Sequence, residues 1–465
     1  MELVLPSRRV PVAYDADVLV VGGGSAGIAA AVAASRAGAR VAIVERYGFF
    51  GGTLTGVTLG SLVGYYTLDA DGGLLMLVGG IGEEVVERLR RVGGATEPRR
   101  WLKTASVPYD IFSLKVLFDR MIEEARVKPF LHSFVTDVVM EGRCVRGVVV
   151  ATKAGPRGVR ARVTIDCSGD GDVAALAGAP FEVPAEVQLP SAMFSMGGID
   201  PERIDAMDRQ QLRDVLESVR ESGVDLPRVS GGVFTVPNRS AAHLNITRVS
   251  LNGRPADVTD AEQLTAAEIE GRRQVMLYGE VFRKHVPGFE NAYVIDSGAQ
   301  LGIRESRIIG GRYVLTEEDV LNEARFDDAI GCGAWPVELH TPDRATIWRW
   351  LREGGYYQMP YRMLLPTGVD GLLVAGRCMS ATHGAQASVR ASANCFAAGE
   401  AAGTAAAMAV ASNVEPAVVS VAALRQKLSE LGALVEPRPA QASSHGATKR
   451  SRSDDTKGLS RAGKD

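Results

Sequence analysis

Gly22, Gly24 and Gly27 are spaced as GxGxxG in the run VVGGGSAGIAA, and Glu45 closes the next apolar run, VAIVE, 23 residues after Gly22. Each residue type has a mechanical reason. The first glycine permits a tight turn, the second lets the backbone approach a pyrophosphate at a helix N-terminus, and the third allows close helix packing. The acid is placed to accept hydrogen bonds from ribose hydroxyls. Ser25 and Ala26 lie inside the same turn and are counted with it as cofactor-binding. An acid rather than a basic cluster at the ribose position disfavours a 2′-phosphate, so FAD or NAD is expected in preference to NADP.

These residues do this chemistry only on a strand–turn–helix, and the chain around them reads that way. Residues 18–21 form a buried strand, an Ala-rich helix follows the turn, and 41–44 form a second buried strand, together a βαβ unit. The stretch RCVRGVVVATKAGPRGVRARVTIDCSGDGD reads as a hairpin or meander whose last strand ends in another glycine-rich turn. From about 187 the pattern changes to mixed short strands and helices, including the polar helix TDAEQLTAAEIEGRRQVMLYGEVFRKH. GVDGLLVAGR then returns to a buried strand, which feeds a helix of alanines and glycines whose small side chains suit close packing on a sheet. The nucleotide-type pattern is therefore discontinuous. Residues 1–186 and 361–436 carry it, 187–360 form an inserted mixed α+β cap, and 437–465 form a disordered tail with almost no large apolar residues. The basic residues Lys449, Arg450 and Arg452 belong to that tail and read as solvated.

A chain of 465 residues allows about two to three domains and a substantial core. Its formal charge of −3 provides no basic field for nucleic acid. The five cysteines are scattered and never spaced as CxxC, which argues against a disulfide framework and against zinc or iron–sulfur ligation, so no metal site is expected. There is no charged-then-apolar leader and no stretch of about 18 uninterrupted apolar residues, so a cytoplasmic protein without membrane contact is expected.

Four segments narrow the cofactor by resemblance. After Glu45, RYGFFGGTLTG, with Arg46, Gly51, Gly52 and Thr53, looks like the segment that runs from the ribose acid to the diphosphate and flavin in glutathione-reductase-like flavoproteins. IDCSGDGD, with Ser168, Gly169 and Asp170, resembles the strand end that meets the adenine-ribose there. LLVAGRCMSATHGAQASVRASANCFAAGEAAG, with Gly376 and Arg377, resembles the flavin-closing strand and helix, whose N-terminus stabilises negative charge on the reduced ring. Together with GGIGEEVVERL, HLNITRV, LGIRESRIIGGRYVLTEEDV and YYQMPYRMLLPTGVDGLLVAGR, these resemble a bacterial FAD-dependent oxidoreductase family related to fumarate-reductase and glucose-inhibited-division flavoproteins, over residues 15 to 410. The resemblance implies an α/β fold: a discontinuous Rossmann-like FAD-binding domain of glutathione-reductase type with an inserted substrate domain. It also implies FAD as cofactor.

The flavin-closing stretch places His383 and Arg390 nearest the chemistry, and Arg304 lies at the predicted return from the inserted domain. His383 follows the flavin-closing strand and is either a base or a cofactor ligand. Arg304 and Arg390 are candidates to clamp a substrate carboxylate bidentately, whereas Arg307 reads as an ion-pairing residue. His340, Tyr361 and Arg362 border the expected domain junction. Cys378 and Cys395 read as small packing residues. The expected reaction is dehydrogenation of a small organic substrate by hydride transfer to flavin N5. Oxygen or a redox partner would take the electrons onward; a flavin-bearing electron-transfer subunit of a multiprotein redox complex is the alternative, and an RNA-modifying flavoprotein a further one that the near-neutral charge disfavours.

Overall fold

The computed structural model describes residues 9–341 and 346–440. At its centre, five strands form an all-parallel sheet in the order Leu372–Val374, Val163–Asp166, Val18–Val21, Val41–Val44 and Lys128–Phe130. Four of the five are buried along their whole length. With both faces covered they have no solvent side, which is why VLVV and VAIV are unbroken apolar runs instead of alternating ones. Strand Val18–Val21 is central, and the next strand lies on one side of it while Val163–Asp166 lies on the other. Open α/β sheets bind ligands in the crevice beyond the strand ends at such a reversal.

Helices Ser25–Arg36 and Ser392–Ser412 pack directly on one another against this sheet. A Cβ on Gly399 would lie 2.1 Å from the Ala26 carbonyl oxygen, and one on Gly403 would lie 2.1 Å from that of Ala30. The Ala/Gly composition of the second helix therefore serves a helix-on-helix contact as well as the sheet packing expected from sequence. By length and composition this helix could cross a membrane, yet it is mostly buried inside the protein.

Phe134–Glu141, Cys144–Thr152 and Gly155–Arg160 form the expected antiparallel meander, with Val12–Asp15 added in parallel at its edge. Another sheet joins Leu74–Met76, Ser61–Leu68, Thr104–Pro108 and Arg99–Trp101. A separate apolar core, within residues 192–303, underlies the antiparallel sheet Gly232–Thr235, Ala241–Asn245, Phe194–Gly197 and Tyr293–Ser297. The polar helix Ala261–His285 packs here, started by Asp260, whose carboxylate accepts from the Gln263 N–H.

Two boundaries differ from the sequence reading. The second core ends near residue 303: strands Ala329–Gly333 and Tyr357–Pro360 lie within the expected insertion, yet they bury Ile330, Cys332, Tyr357 and Met359 in the main core. The expected tail begins instead with Arg438–Pro439, which pairs with Leu74–Met76 while the Arg438 guanidinium donates to Glu83 at 2.6 Å. Residues 441–465, including Lys449, Arg450 and Arg452, lie outside the described residues.

Candidate active site

The central strand ends at Val21, and the chain turns through Gly22 at φ +96°, where a Cβ would lie 2.3 Å from the Cys167 carbonyl oxygen. A Cβ on Gly27 would lie 1.8 Å from the Gly22 carbonyl oxygen, so the helix can start this close to the turn only with glycine there. Gly24 differs: its nearest protein neighbour to such a Cβ is Gly52 Cα at 3.8 Å, and its outer side borders a large cavity. The Gly51 N–H donates to the Gly23 carbonyl at 2.7 Å, which docks the second glycine turn on the first.

The cavity, counted with the solvent at its open mouth, encloses about 1640 Å3. At one end it is lined by Gly22, Gly24, Ser25 and Ala26, by Glu45 and Arg46, and by Gly52 and Thr53. Ser168, Gly169, Gly376 and Arg377 line it as well. Glu45 accepts from the N–H groups of Gly23 at 2.7 Å and Tyr47 at 2.9 Å, and burial raises its carboxyl above the usual range. Arg46 and the Tyr47 hydroxyl both donate to Gln300 Oε1, at 2.7 and 2.6 Å. Asp166 shapes the third turn by accepting from Ser168 N–H at 3.0 Å, Ser168 Oγ at 2.6 Å and Ala174 N–H at 3.0 Å.

Gly27, Gly51 and Asp170, expected to contact cofactor, do not line the cavity. The two glycines are taken up by the packing just described. Asp170 accepts from Arg377 at 2.7 Å and from Ser306 Oγ at 2.6 Å. Burial opposes its ionisation, but Arg377 and Ser306 outweigh it and hold the carboxyl below the usual range.

The other end of the cavity is made by side chains from distant segments. Arg304 and Arg390, expected from sequence, are there, joined by Arg228, which no spacing pattern marks. Arg304 donates to the Leu189 carbonyl at 3.1 Å, Arg228 to the Asn245 carbonyl at 3.4 Å, and Arg390 to Gln188 Oε1 at 3.2 Å. The Nε atoms of Arg228 and Arg390 are buried without a partner. Burial pushes Arg228 down to about 10, and burial together with the charges of Arg390 and Arg228 pushes Arg304 well below its ordinary value. Glu338 is the carboxylate at this end. Burial would raise it, but His340, through its charge when protonated and its hydrogen bond, and then Arg390 and Arg304 hold its carboxyl below the usual range. His340 is buried beside Arg304, and burial together with that charge lowers its pKa, while the carboxylate of Glu338, 3.0 Å from its Nε2, works the other way.

Trp101 and Trp335 stack with centroids 5.6 Å apart, Trp348 meets Trp101 edge-on at 5.6 Å, and Trp350 stacks on Trp348 at 5.6 Å. The chain's four tryptophans thus form one cluster, and the first three line the cavity.

A sequence model of the FAD dependent oxidoreductase family matches residues 17–428. The chain belongs to that family. It is a flavoprotein oxidoreductase, and its cofactor is FAD. No curated protein matches it. Among solved structures, a geranylgeranyl bacteriochlorophyll reductase-like protein from Thermoplasma acidophilum is 14% identical, with 90% of this chain and 83% of that one covered at a TM-score of 0.45. A flavin-dependent brominase is 14% identical, with 90% and 83% covered at 0.42. A myxobacterial FAD-dependent halogenase is 12% identical, with 89% and 78% covered at 0.43. At these scores the likenesses decide nothing about the reaction.

The residues present fit FAD. The cradle at Gly22–Gly27 accepts a pyrophosphate against the N-terminus of Ser25–Arg36, and Glu45 retains lone pairs for ribose hydroxyls. Ala391, Ser392 and Cys395, at the start of the helix Ser392–Ser412, line the middle of the flavoprotein's cavity near the fully buried Ser61, whose hydroxyl has no partner. Burial pushes the Cys395 thiol up to about 12, which leaves it protonated and unreactive.

His383, expected to be nearest the chemistry, is not among the residues lining the cavity. It is the first residue of helix His383–Val389, and its Nδ1 lies 2.9 Å from Glu305, a fully buried carboxylate. The hydrogen bond that the ring donates to Glu305 raises its pKa, so the ring serves as that carboxylate's partner. Arg307 pairs with Asp172 at 3.0 Å, Tyr361 donates to the Pro416 carbonyl at 2.9 Å, and Arg362 pairs with Asp328 at 2.9 Å; none of these three lines the cavity.

Proposed function

We propose that the protein dehydrogenates a small organic substrate held at the arginine-lined end of the cavity. The observation that carries this reading is continuity: the glycine cradle and the Arg228–Arg304–Arg390 cluster open into one cavity. The chemistry FAD supplies when bound is two-electron acceptance, as a hydride at N5. The chain's own residues hold and orient the substrate through the guanidinium groups, keep water from it with the tryptophan wall, and accept a proton. We assign that last role to His340, because the carboxylate of Glu338, 3.0 Å from its Nε2, steadies the ring once it is protonated. The glutathione-reductase-type reading of the FAD domain, with its inserted substrate cap, and the kinship with fumarate-reductase and glucose-inhibited-division flavoproteins belong to the same proposal.

Anaerobic mixing of the yellow protein with small acids, amines and alcohols tests it. The visible flavin band bleaches with at least one of these compounds. Failure of every compound, with electrons passing instead to a protein partner, would replace this reading with that of an electron-transfer subunit.

A further inference from the structure

We propose that the ligand of the arginine-lined end is a small oxoanion, a carboxylate or a phosphate monoester, borne on a flat aromatic body. This rests on the reading that substrate binds at that end. Arg228, Arg304 and Arg390 come from three separate segments and converge there; among the described residues Glu338 is the one carboxylate lining the cavity beside them, with the buried Glu305 acting on Arg390 from behind. Among the described residues, the hydrogen bonds of these guanidinium groups go to neutral oxygens, and two Nε–H groups have none. Buried charges persist where they are paired or fully hydrogen-bonded, and this set is neither. An oxoanion supplies the missing counter-charge and acceptor oxygens in the planar geometry that guanidinium groups match. The phosphates of the cofactor are taken up by the separate glycine cradle at Gly22–Gly27.

The shape of the body is read from the wall. Trp101, Trp335 and Trp348 give the same space an indole surface, which an aromatic ring covers with better geometry than an alkyl chain. Arg209 already shows what this surface accepts: its guanidinium plane lies over Trp101 at 5.5 Å and over Trp348 at 5.6 Å. A neighbouring cavity, lined by Arg99 and Arg100, shares Trp101, Arg209 and Phe234 with this one as common wall.

Because every tryptophan of the chain lies in this cluster, intrinsic fluorescence reports on the site directly. The FAD-loaded protein is titrated with benzoate, phenyl phosphate, benzamide and acetate. Benzoate or phenyl phosphate quenches the emission saturably and binds about tenfold or more tightly than benzamide and acetate, the tighter of the two naming the anion. Arg304→Met weakens that binding about tenfold or more, and Arg390→Met, should the first variant fail to retain FAD, does the same. Equal affinity for benzamide and benzoate, equal affinity for acetate and benzoate, or unchanged anion affinity in a folded arginine variant would overturn the proposal. The measurement uses oxidised flavin without turnover, so a failure of dehydrogenation in the bleaching experiment leaves this result standing, and the reverse holds too.

Discussion

The two ends of the cavity are built on opposite principles. The cofactor end consists largely of backbone: two docked glycine turns, a helix N-terminus, and carboxylates whose hydrogen bonds are already made, as in Asp166 to Ser168 and Asp170 to Arg377. The substrate end consists of long side chains with excess positive charge and two unpartnered Nε–H groups. A site that is complete without its ligand keeps its shape and holds one cofactor. A site that is incomplete stores unfavourable electrostatics that a ligand relieves, which is where selectivity between substrates arises.

The largest expected effect separates the two roles of glycine at the cofactor end. Gly24→Val retains a native far-UV spectrum but loses FAD, because the added side chain meets little protein and occupies the cradle. Gly27→Val does not yield folded protein, since its Cβ alone would sit 1.8 Å from a carbonyl oxygen. Absorbance at the flavin band against circular dichroism distinguishes them. If Gly24→Val still binds FAD, the contrast between a backbone-built end and a side-chain-built end fails.

Next, His340→Asn slows anaerobic flavin reduction by about 10²-fold, the range of a lost general base, with FAD content unchanged. His383→Asn changes that rate little, and its effect falls on stability. The Glu305 contact raises the folded pKa of His383, so the ion pair's contribution is full below the unfolded value near 6.5 and is lost as pH rises through the folded value. Thermal melts at several pH values therefore show wild type losing its advantage over His383→Asn toward alkaline pH. Equal slowing of reduction in both variants would return His383 to the chemistry.

Arg304→Met sharpens the charge argument further. Removing one of several mutually repelling buried cations raises the melting temperature while weakening substrate, and a loss of both would show that Arg304 is balanced after all.

The smallest expected effect lies in the scaffold that both ends share. Glu400, on the helix Ser392–Ser412, is buried and accepts from the Ile81 N–H at 3.0 Å, and burial raises its pKa to about 7. The protonated form is favoured in the fold, so its stabilisation is full below about 4.5 and disappears as pH rises through about 7. Glu400→Gln is accordingly more stable than wild type at pH 8, on the order of 1–3 kcal/mol, and loses that margin in acid. Urea unfolding at the two pH values measures it.

Legibility in the sequence followed the same division. Gly22, Gly24, Glu45 and SGDGD could be read because a strand, a turn and a helix are local, and their spacing is dictated by bond geometry. Arg228, Glu338 and the tryptophans carry no spacing signal, because segments near residues 101, 228, 335 and 348 bring them together only in three dimensions. His383 illustrates the limit from the other side. Proximity in sequence to the closing turn suggested the chemistry, but the first position of a helix directs the ring to whatever flanks that helix, here Glu305. The boundaries of the insertion erred for a related reason: the apolar residues of Ala329–Gly333 and Tyr357–Pro360 do not announce which of two cores they will join.

The shared acceptor of Arg46 and Tyr47 has a consequence for time as well as shape. Gln300 belongs to the segment that carries the chain back from the second core, and its one oxygen holds the two residues that follow the ribose acid. Opening that corner of the cavity breaks both bonds, while Leu301 and Gly302 beyond it stay pinned to Glu268 and Ser191, each at 2.7 Å. A Gln300→Ala protein therefore sheds its yellow colour on dialysis faster than wild type, with its tryptophan emission unchanged.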